Sequence, residues 1–405
     1  MKTSAHTIGL LFAAVTALAP AAASACGGCF APAEVQQVVT DHRMVMAIHE
    51  SESILWDQIQ YSGRPEDFSW VLPVRGMVDL QVASGRFFDL LDSLTAVQVS
   101  APALSCPRGG RGLFASDSAT SAAGEAGGGG VQVLSTAVVG PYQTVTLRST
   151  DSDALSTWLR GNGYAIPQAT EPVIRHYTDL GMDFVALRLR PGEGVQSMQP
   201  VRVRFTTASP VLPLRMVAAG VADKVGISLF VFGERRWEAM NFPNAAVDRS
   251  ALTWDFDTSR SNYPQLFAAA VRSAGNRGWV TESAFHTDQI SWQFRNDEEA
   301  YPDWRVATAG LSQPWVTRLR TDLPFNAIDR DLQLASSTAG ELPNRVTAAR
   351  GLNAPPCPTD DGFYAGTTGS SARCSARPGD SPRGYGWVIA LGLAAIPLTR
   401  RRRRR

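Results

Sequence analysis

The sequence predicts an α+β protein built mainly from antiparallel strands, with a few short helices. Short runs rich in Val, Ile and Met alternate with turn residues, and a few segments space apolar residues three and four apart. Hydrophobic residues make up 44% of the chain, which is enough for a substantial core. Since roughly 320 residues lie between the two ends, we expect two subdomains, at residues 26–150 and 151–340.

The first strands are predicted as a pair. Residues 35–48 and 54–61 are rich in Val, Ile and Met around a short polar run, which indicates antiparallel pairing. Residues 68–72 resume as a strand that we expect to end at Pro73. Residues 85–97 carry apolar side chains at helical spacing and predict an amphipathic helix, through Phe87, Leu90, Leu91 and Leu94.

A hairpin and a capped helix come next. Residues 131–139 and 142–147 are strand-like on either side of a Gly-Pro turn. Side-chain oxygens from Asp151 onward predict a capped helix at 154–160, which Gly161 is expected to end in the left-handed conformation.

The rest of the body is predicted as more sheet with two helices. Residues 184–189 and 201–206 alternate apolar side chains with arginine, which is typical of a sheet with one face in water. Further helices are expected at 172–180 and 265–273, and further strands at 211–217, 225–232, 279–283 and 316–320.

Two segments have the composition of flexible chain. Residues 108–130 are rich in Gly, Ser and Ala, but they lack the preceding strand and following helix of a phosphate-binding loop. Residues 341–383 predict a linker that holds the body away from a membrane.

The N-terminus has the organisation of a secretory signal peptide over residues 1–25. Lys2 precedes an apolar stretch, and Ala23 and Ala25 place small side chains where a leader peptidase acts. Cleavage there makes Cys26 the first mature residue. Acylation of Cys26, as in a lipoprotein, is the competing interpretation.

The C-terminus has the organisation of an envelope anchor. Residues 384–399 are apolar, and as a helix they would span roughly 24 Å, less than the roughly 30 Å of a hydrocarbon core. A basic block after this span is expected to stay in the cytoplasm, leaving residues 26 to about 380 outside. The block consists of Arg400, Arg401, Arg402, Arg403, Arg404 and Arg405.

The order of Cys374, a polar spacer, a short apolar span and terminal arginines resembles the C-terminal sorting domains of myxobacterial surface proteins. That resemblance implies processing and anchoring at Cys374. A plain transmembrane helix with the same orientation is the alternative. The expected partners are the membrane, through this segment, and the machinery for export and C-terminal processing.

Charge argues against nucleic-acid binding. Taking Lys2 and the six terminal arginines from the total of 38 basic residues leaves 31, against 37 acidic residues. The exterior part is therefore mildly acidic, whereas binding to a phosphate backbone needs clustered cations.

The remaining cysteines are disulfide candidates in an oxidising exterior: Cys26, Cys29, Cys106 and Cys357. Four cysteines allow three pairings, and the sequence does not choose among them. The Cys26–Cys29 spacing is that of a redox dithiol, but no strand precedes it and Pro32 follows, which favours structural bridging.

No motif for catalysis, a metal or a cofactor is convincing. His42 and His49 are seven residues apart, so on one strand they would point to opposite faces. Glu282 could form a glycosidase-type carboxylate pair with Asp329 or Asp331 if the fold brought them together. Cys106 could act as a thiol nucleophile. Exposed tryptophans could stack on sugars, at Trp237, Trp304 and Trp315.

Several ordered runs resemble one bacterial family, domain of unknown function 2330. They are residues 26–30, 36–38, 67–74, 155–159, 162–164, 210–215 and 316–319, within a likeness that covers about residues 26–340. The family has no established activity, so the resemblance implies an exported, envelope-associated protein and supplies no catalytic residues. We expect a non-enzymatic structural or binding ectodomain with an unknown envelope ligand. A secreted hydrolase with a dispersed site, or a carbohydrate- or peptidoglycan-binding module, is the alternative.

Overall fold

The structure, a computed structural model, describes residues 29–30, 41–58, 64–65, 68–76, 78–104, 133–166, 168–218 and 224–355. The strands are β1 (Cys29–Phe30), β2 (Asp41–Ile48), β3 (Ser53–Asp57), β4 (Ser69–Val74), β5 (Val78–Val82), β6 (Gln98–Ser100), β7 (Val133–Val139), β8 (Tyr142–Leu147), β9 (Asp183–Leu189), β10 (Val201–Phe205), β11 (Val211–Leu212), β12 (Lys224–Gly233), β13 (Arg236–Ala239), β14 (Asn244–Ala245), β15 (Thr253–Asp255), β16 (Arg260–Ser261), β17 (Trp279–His286), β18 (Trp315–Pro324), β19 (Leu332–Ser337), β20 (Arg345–Thr347) and β21 (Arg350–Leu352). The α-helices are α1 (Gly85–Thr95), α2 (Ser152–Gly161), α3 (Glu171–Asp179), α4 (Leu214–Ala218), α5 (Tyr263–Ser273), α6 (Asp288–Arg295) and α7 (Tyr301–Thr308).

Two large sheets organise the described residues. One has the strand order β14-β17-β18-β12-β2-β3-β10-β5, and the other has the order β1-β4-β9-β8-β7. Most neighbours are antiparallel, and the β12–β2 and β14–β17 pairs are parallel. The predicted α+β class with mainly antiparallel strands is confirmed.

The two sheets pack face to face between two helical layers. Alternate residues of β2 separate the layers, because Met44 and Met46 face the core between the sheets while Val45 and Ala47 face α1, α6 and α7. On the outer face of the five-stranded sheet, Phe184 packs with α2 and α3. The result is a four-layer α/β/β/α arrangement, in which each sheet is covered on both faces.

Three smaller sheets join the remaining strands. Their orders are β11-β19-β13, β16-β15-β21 and β20-β6. Through β20 and β21, the first part of the segment predicted as a linker is paired with the body. Strands from both sides of residue 150 share each large sheet, and the described residues belong to one compact unit.

Local signals placed several elements correctly. The β2–β3 pair, the β7–β8 hairpin, α1, α3 and α5 lie where the sequence predicts them. The predicted end at Pro73 is wrong, because β4 continues to Val74 and Pro73 lies opposite Phe184 of β9. On its other side the described residues pair with β4 at Ser69 and Trp70.

The predicted strand 211–217 is also wrong. The structure has the two-residue strand β11 and then helix α4. Pro210 and Pro213 flank β11, and because proline donates no backbone hydrogen bond the strand cannot extend through them.

The residue in the left-handed conformation after α2 lies two residues later than the sequence predicts. Gly161 is the last helical residue, and Gly163 has the positive φ of 78°. Asp151 caps the helix as expected, accepting from the N–H groups of Asp153 and Ala154.

The expectation of a wet sheet face fails at Arg202. This side chain of β10 is buried beneath α7, where its Nη1 donates to Asp303 Oδ1 across 2.8 Å. Trp56 Nε1 donates to the same oxygen, also across 2.8 Å. The α7 helix therefore covers a sheet face that alternation alone would assign to water.

Candidate functional site

Glu282 is part of a buried ion-pair network. It lies at the irregularity in the β17–β18 pairing and is only 2% exposed. Oε1 accepts from Tyr263 Oη across 2.7 Å, and Oε2 accepts from Arg318 Nε across 2.6 Å. Arg318 also donates to Asp92 of α1. Both carboxylate oxygens therefore already have partners, as expected for a structural ion pair.

Asp329 is held by two arginines. Arg330 donates to both of its oxygens across 2.8 and 2.9 Å, and Arg277 contacts the same carboxylate. Hydrogen bonds from Arg330, and then from Arg277, hold the pKa of Asp329 well below its usual value. Within the described residues no contact joins Asp329 or Asp331 to Glu282, so these acids do not form the pair considered from the sequence.

Of the histidines and tryptophans considered from the sequence, His42 and Trp304 are buried, whereas His49, Trp237 and Trp315 are partly exposed. His42 Nε2 lies 2.5 Å from Asp57 Oδ1 in a buried pair, and His49 follows the end of β2. In the chain as described, no cluster of three or more His, Cys, Asp or Glu side chains could hold a metal ion. Trp304 is buried and stacks on Phe294, which leaves it unable to stack on a sugar.

The cysteine and terminal predictions mostly lie beyond the described residues. Cys26, Cys106, Cys357, Cys374 and the segment 384–405 lie outside them, and for Cys29 only the backbone pairing with β4 is described. The disulfide and anchoring assignments therefore stay predictions. None of the helices described is both long and apolar enough to cross a bilayer.

A cavity of about 340 Å³ opens where the β11–β19–β13 sheet meets α3, α4 and the end of β4. Five ionisable side chains line it: Arg75 after β4, His176 in α3, Arg215 in α4, and Arg330 and Asp331 before β19. Cations therefore outnumber acids in the lining. Sequence analysis singled out Asp331 as a possible catalytic acid, and it missed the arginines around it.

Asp331 is anchored in the wall of this cavity. Its Oδ1 accepts from Tyr177 Oη across 2.6 Å and from the backbone N–H of Arg215 across 3.1 Å. Its carbonyl accepts from Asn241 Nδ2 across 2.8 Å. Burial raises the pKa of the Asp331 carboxyl, and the hydrogen bond from Tyr177 opposes that rise.

Two of the cavity's arginines keep their charge available. Arg330 is taken up by Asp329. In the part of the chain that the structure describes, no ion-pair contact joins Arg75 or Arg215 to a carboxylate, although the charge of Arg215 acts on Asp331 and lowers its pKa. The cavity therefore has a positive field that its single half-buried acid does not cancel.

Part of the cavity lining is apolar. Leu180 and Val211 line it although they are 46% and 38% exposed, and Met182 and Phe205 are partly buried beside them. Exposed apolar side chains grouped at a concave site are typical of ligand-binding surfaces. The lining can hold a small ligand both by charge and by apolar contact.

A second cavity of about 540 Å³ lies around the start of α6. Asp288 and Arg295 line it together with uncharged polar groups and His286. The negative charge of Asp288 and the positive charge of Arg295 balance, so the lining favours no class of ligand. The smaller cavity is therefore the better candidate site.

The signal that could have located this site lies in residues 210–215. That run places Arg215 directly after two prolines and three apolar residues, and it also belongs to the motifs that resemble the bacterial family. A basic residue that directly follows a strand ended by proline is a candidate for a residue at the edge of a sheet, beside a cavity.

Comparison with known proteins supports one assignment. Residues 20–326 match the profile of a family described as an uncharacterised protein conserved in bacteria, DUF2330. Among curated proteins, none matches the chain. A solved structure of a mutated baculovirus P35 after caspase cleavage is 9% identical over 49% of this chain and 68% of that one, with a TM-score of 0.23. A score that low carries no argument. Because the family profile covers most of the sequence, this chain belongs to the uncharacterised bacterial family known as domain of unknown function 2330.

Proposed function

We propose that this protein is an exported, envelope-anchored ectodomain that binds a small ligand and has no catalytic role. Two features of the sequence support its location. Residues 1–25 have the organisation of a signal peptide, and an apolar span at 384–399 is followed by six arginines.

The state of the acidic side chains supports binding over catalysis. A general acid or base must reach the substrate with a free oxygen or a tuned proton. Both oxygens of Glu282 accept hydrogen bonds, and Asp329 is shared by two arginines. These carboxylates therefore stabilise the fold and are not free to act on a substrate.

The cavity beside α3 and α4 is the observation that carries the binding role. It combines two arginines that lack an ion-pair contact in the described residues with an exposed apolar wall. Its volume of about 340 Å³ falls within the range of small-molecule sites.

Fractionation and intact-mass measurement test the location. We expect the mature chain in the envelope fraction, beginning at Cys26, with disulfides formed and with the tail either processed near Cys374 or retained as a helix. Recovery of the full-length chain from the soluble cytoplasmic fraction, with all five thiols reduced, would contradict export.

Native mass spectrometry tests the binding role. Protein purified from its own envelope should carry a bound small molecule, and Leu180→Trp, which fills the cavity from an exposed position, should lose it. Leu352→Trp is the matched control, because Leu352 is 50% exposed on β21 and does not line the cavity. Equal loss from both variants, or turnover of a glycan or peptide panel by the wild type, would argue against the proposal.

A further inference from the structure

We propose that the cavity binds an organic monoanion with a compact apolar body, and that Arg75 and Arg215 recognise its carboxylate. This inference rests on the proposed binding role and names the ligand class. The ligand class is inferred from the charge, the size and the apolar surface of the cavity.

Charge selects an anion. Three arginines and His176 line the cavity, against Asp331 as its acid. Arg330 is paired with Asp329, which it shares with Arg277, whereas Arg75 and Arg215 have no ion-pair contact in the described part of the chain. A guanidinium group matches the two oxygens of a carboxylate and is weakly hydrated, so it binds such a group well at a partly buried site.

The neighbouring contacts keep Arg215 at the cavity. Its backbone N–H donates to Asp331 Oδ1 across 3.1 Å, and Asp331 is held from the other side by Tyr177. The start of α4 is thereby fixed against β19 and α3. The side chain that we assign to recognition therefore extends from a positioned backbone.

The apolar wall selects the body of the ligand. Leu180 and Val211 are two of the nine exposed large apolar side chains in the described residues, and both line this cavity. Phe205 and Met182 add a partly buried surface beside them. A hydrocarbon group that covers these side chains would remove their apolar area from water.

Size limits the ligand to a small one. The cavity of about 340 Å³ lies near the lower end of the range of small-molecule sites, which is roughly 300–1,000 Å³. An eight-carbon carboxylate has this size. A diacyl lipid is too large to be enclosed.

Isothermal titration calorimetry of the full chain with octanoate, octan-1-ol and acetate tests the proposal. We expect saturable, one-to-one binding of octanoate. Octanol lacks the charge and acetate lacks the apolar body, so each should bind at least tenfold more weakly. If octanol bound as tightly as octanoate, the anion assignment would be overturned. The proposed binding role would still hold in that case if Leu180→Trp abolished the binding of octanol.

Substitutions of the two arginines test whether they bind the carboxylate. Arg75→Gln and Arg215→Gln should together weaken octanoate binding at least tenfold while leaving octanol binding unchanged. Arg235→Gln is the matched control, because Arg235 is exposed at the opposite end of the β13–β19 ladder, and it should change affinity less than twofold. The circular dichroism spectrum and unfolding midpoint of each variant would identify loss of folding. Unchanged octanoate affinity in a folded double variant would overturn the proposal. The proposal would also be overturned if none of the three ligands bound, whatever fractionation shows about export.

Discussion

Arg318 Nε donates to Glu282 Oε2 across 2.6 Å in the interior, and the two side chains are 6% and 2% exposed. The pair connects β17 to β18, and its second bond to Asp92 extends the contact to α1. The guanidinium also lies over the ring of Phe230, 5.1 Å from its centroid. The two strands and the helix thus share one buried charge pair.

Removing the charge of Glu282 should destabilise the fold strongly. Glu282→Gln leaves Arg318 buried with only the partly exposed Asp92 as an anionic partner, and breaking a buried pair costs about 3–5 kcal/mol of unfolding free energy. Urea unfolding measures this loss. Asp92→Asn is the control: its carboxylate is 42% exposed, and we expect a loss of less than about 1 kcal/mol. Equal losses in the two variants would contradict the assignment.

Asp303 should be similarly sensitive, because three donors depend on it. It accepts from Arg202 Nη1, Trp56 Nε1 and the backbone N–H of Ser84, each across 2.8 Å. Asp303→Ala leaves these groups unpaired and should lower the unfolding free energy by about 3–5 kcal/mol. Asp89→Ala, which breaks an exposed pair with Arg43, should cost less than about 1 kcal/mol. A small effect at Asp303 would show that water replaces it.

Two glycines at the end of α2 should respond in opposite directions to alanine. Gly163 has a φ of 78°, and an added Cβ would lie 2.5 Å from Arg188 Nη1. Gly163→Ala should therefore lower the unfolding free energy by about 1–2 kcal/mol. Gly161 is helical with open space around it, so Gly161→Ala should raise that free energy by about 0.5–1 kcal/mol. Thermal unfolding of both variants checks the signs, and stabilisation of both would disprove the left-handed stop.

Asp331 should make stability depend on pH. Burial raises its folded pKa above the unfolded value, so its favourable contribution is complete below the unfolded pKa of about 3.9 and is lost as pH rises through the folded pKa. Asp331→Asn stays neutral and can still accept from Tyr177. The variant should therefore gain stability relative to the wild type between about pH 3.5 and pH 7. Urea midpoints across this range test the sign, and a relative gain by the wild type would refute it.

Sequence reasoning succeeded where the signal was local. The spacing of Phe87 and Leu91 predicted α1, and turn residues located the β2–β3 and β7–β8 pairs, because these structures depend on neighbours a few residues apart. It failed at Arg202, where the covering helix α7 is about a hundred residues away in the chain. It also missed α6, although Ile290 and Phe294 have helical spacing.

The sequence alone determined the family and the α+β class and placed many of the elements, since these depend on composition, periodicity and ordered motifs. The route to the envelope stays a prediction. Only the tertiary structure decided which charges are buried and which line a cavity. Glu282 and Asp331 are both acids near strands, but one is enclosed by Arg318 and Tyr263 and the other lies beside Arg215. Burial and pairing depend on which distant segments pack together, and no local pattern contains that information.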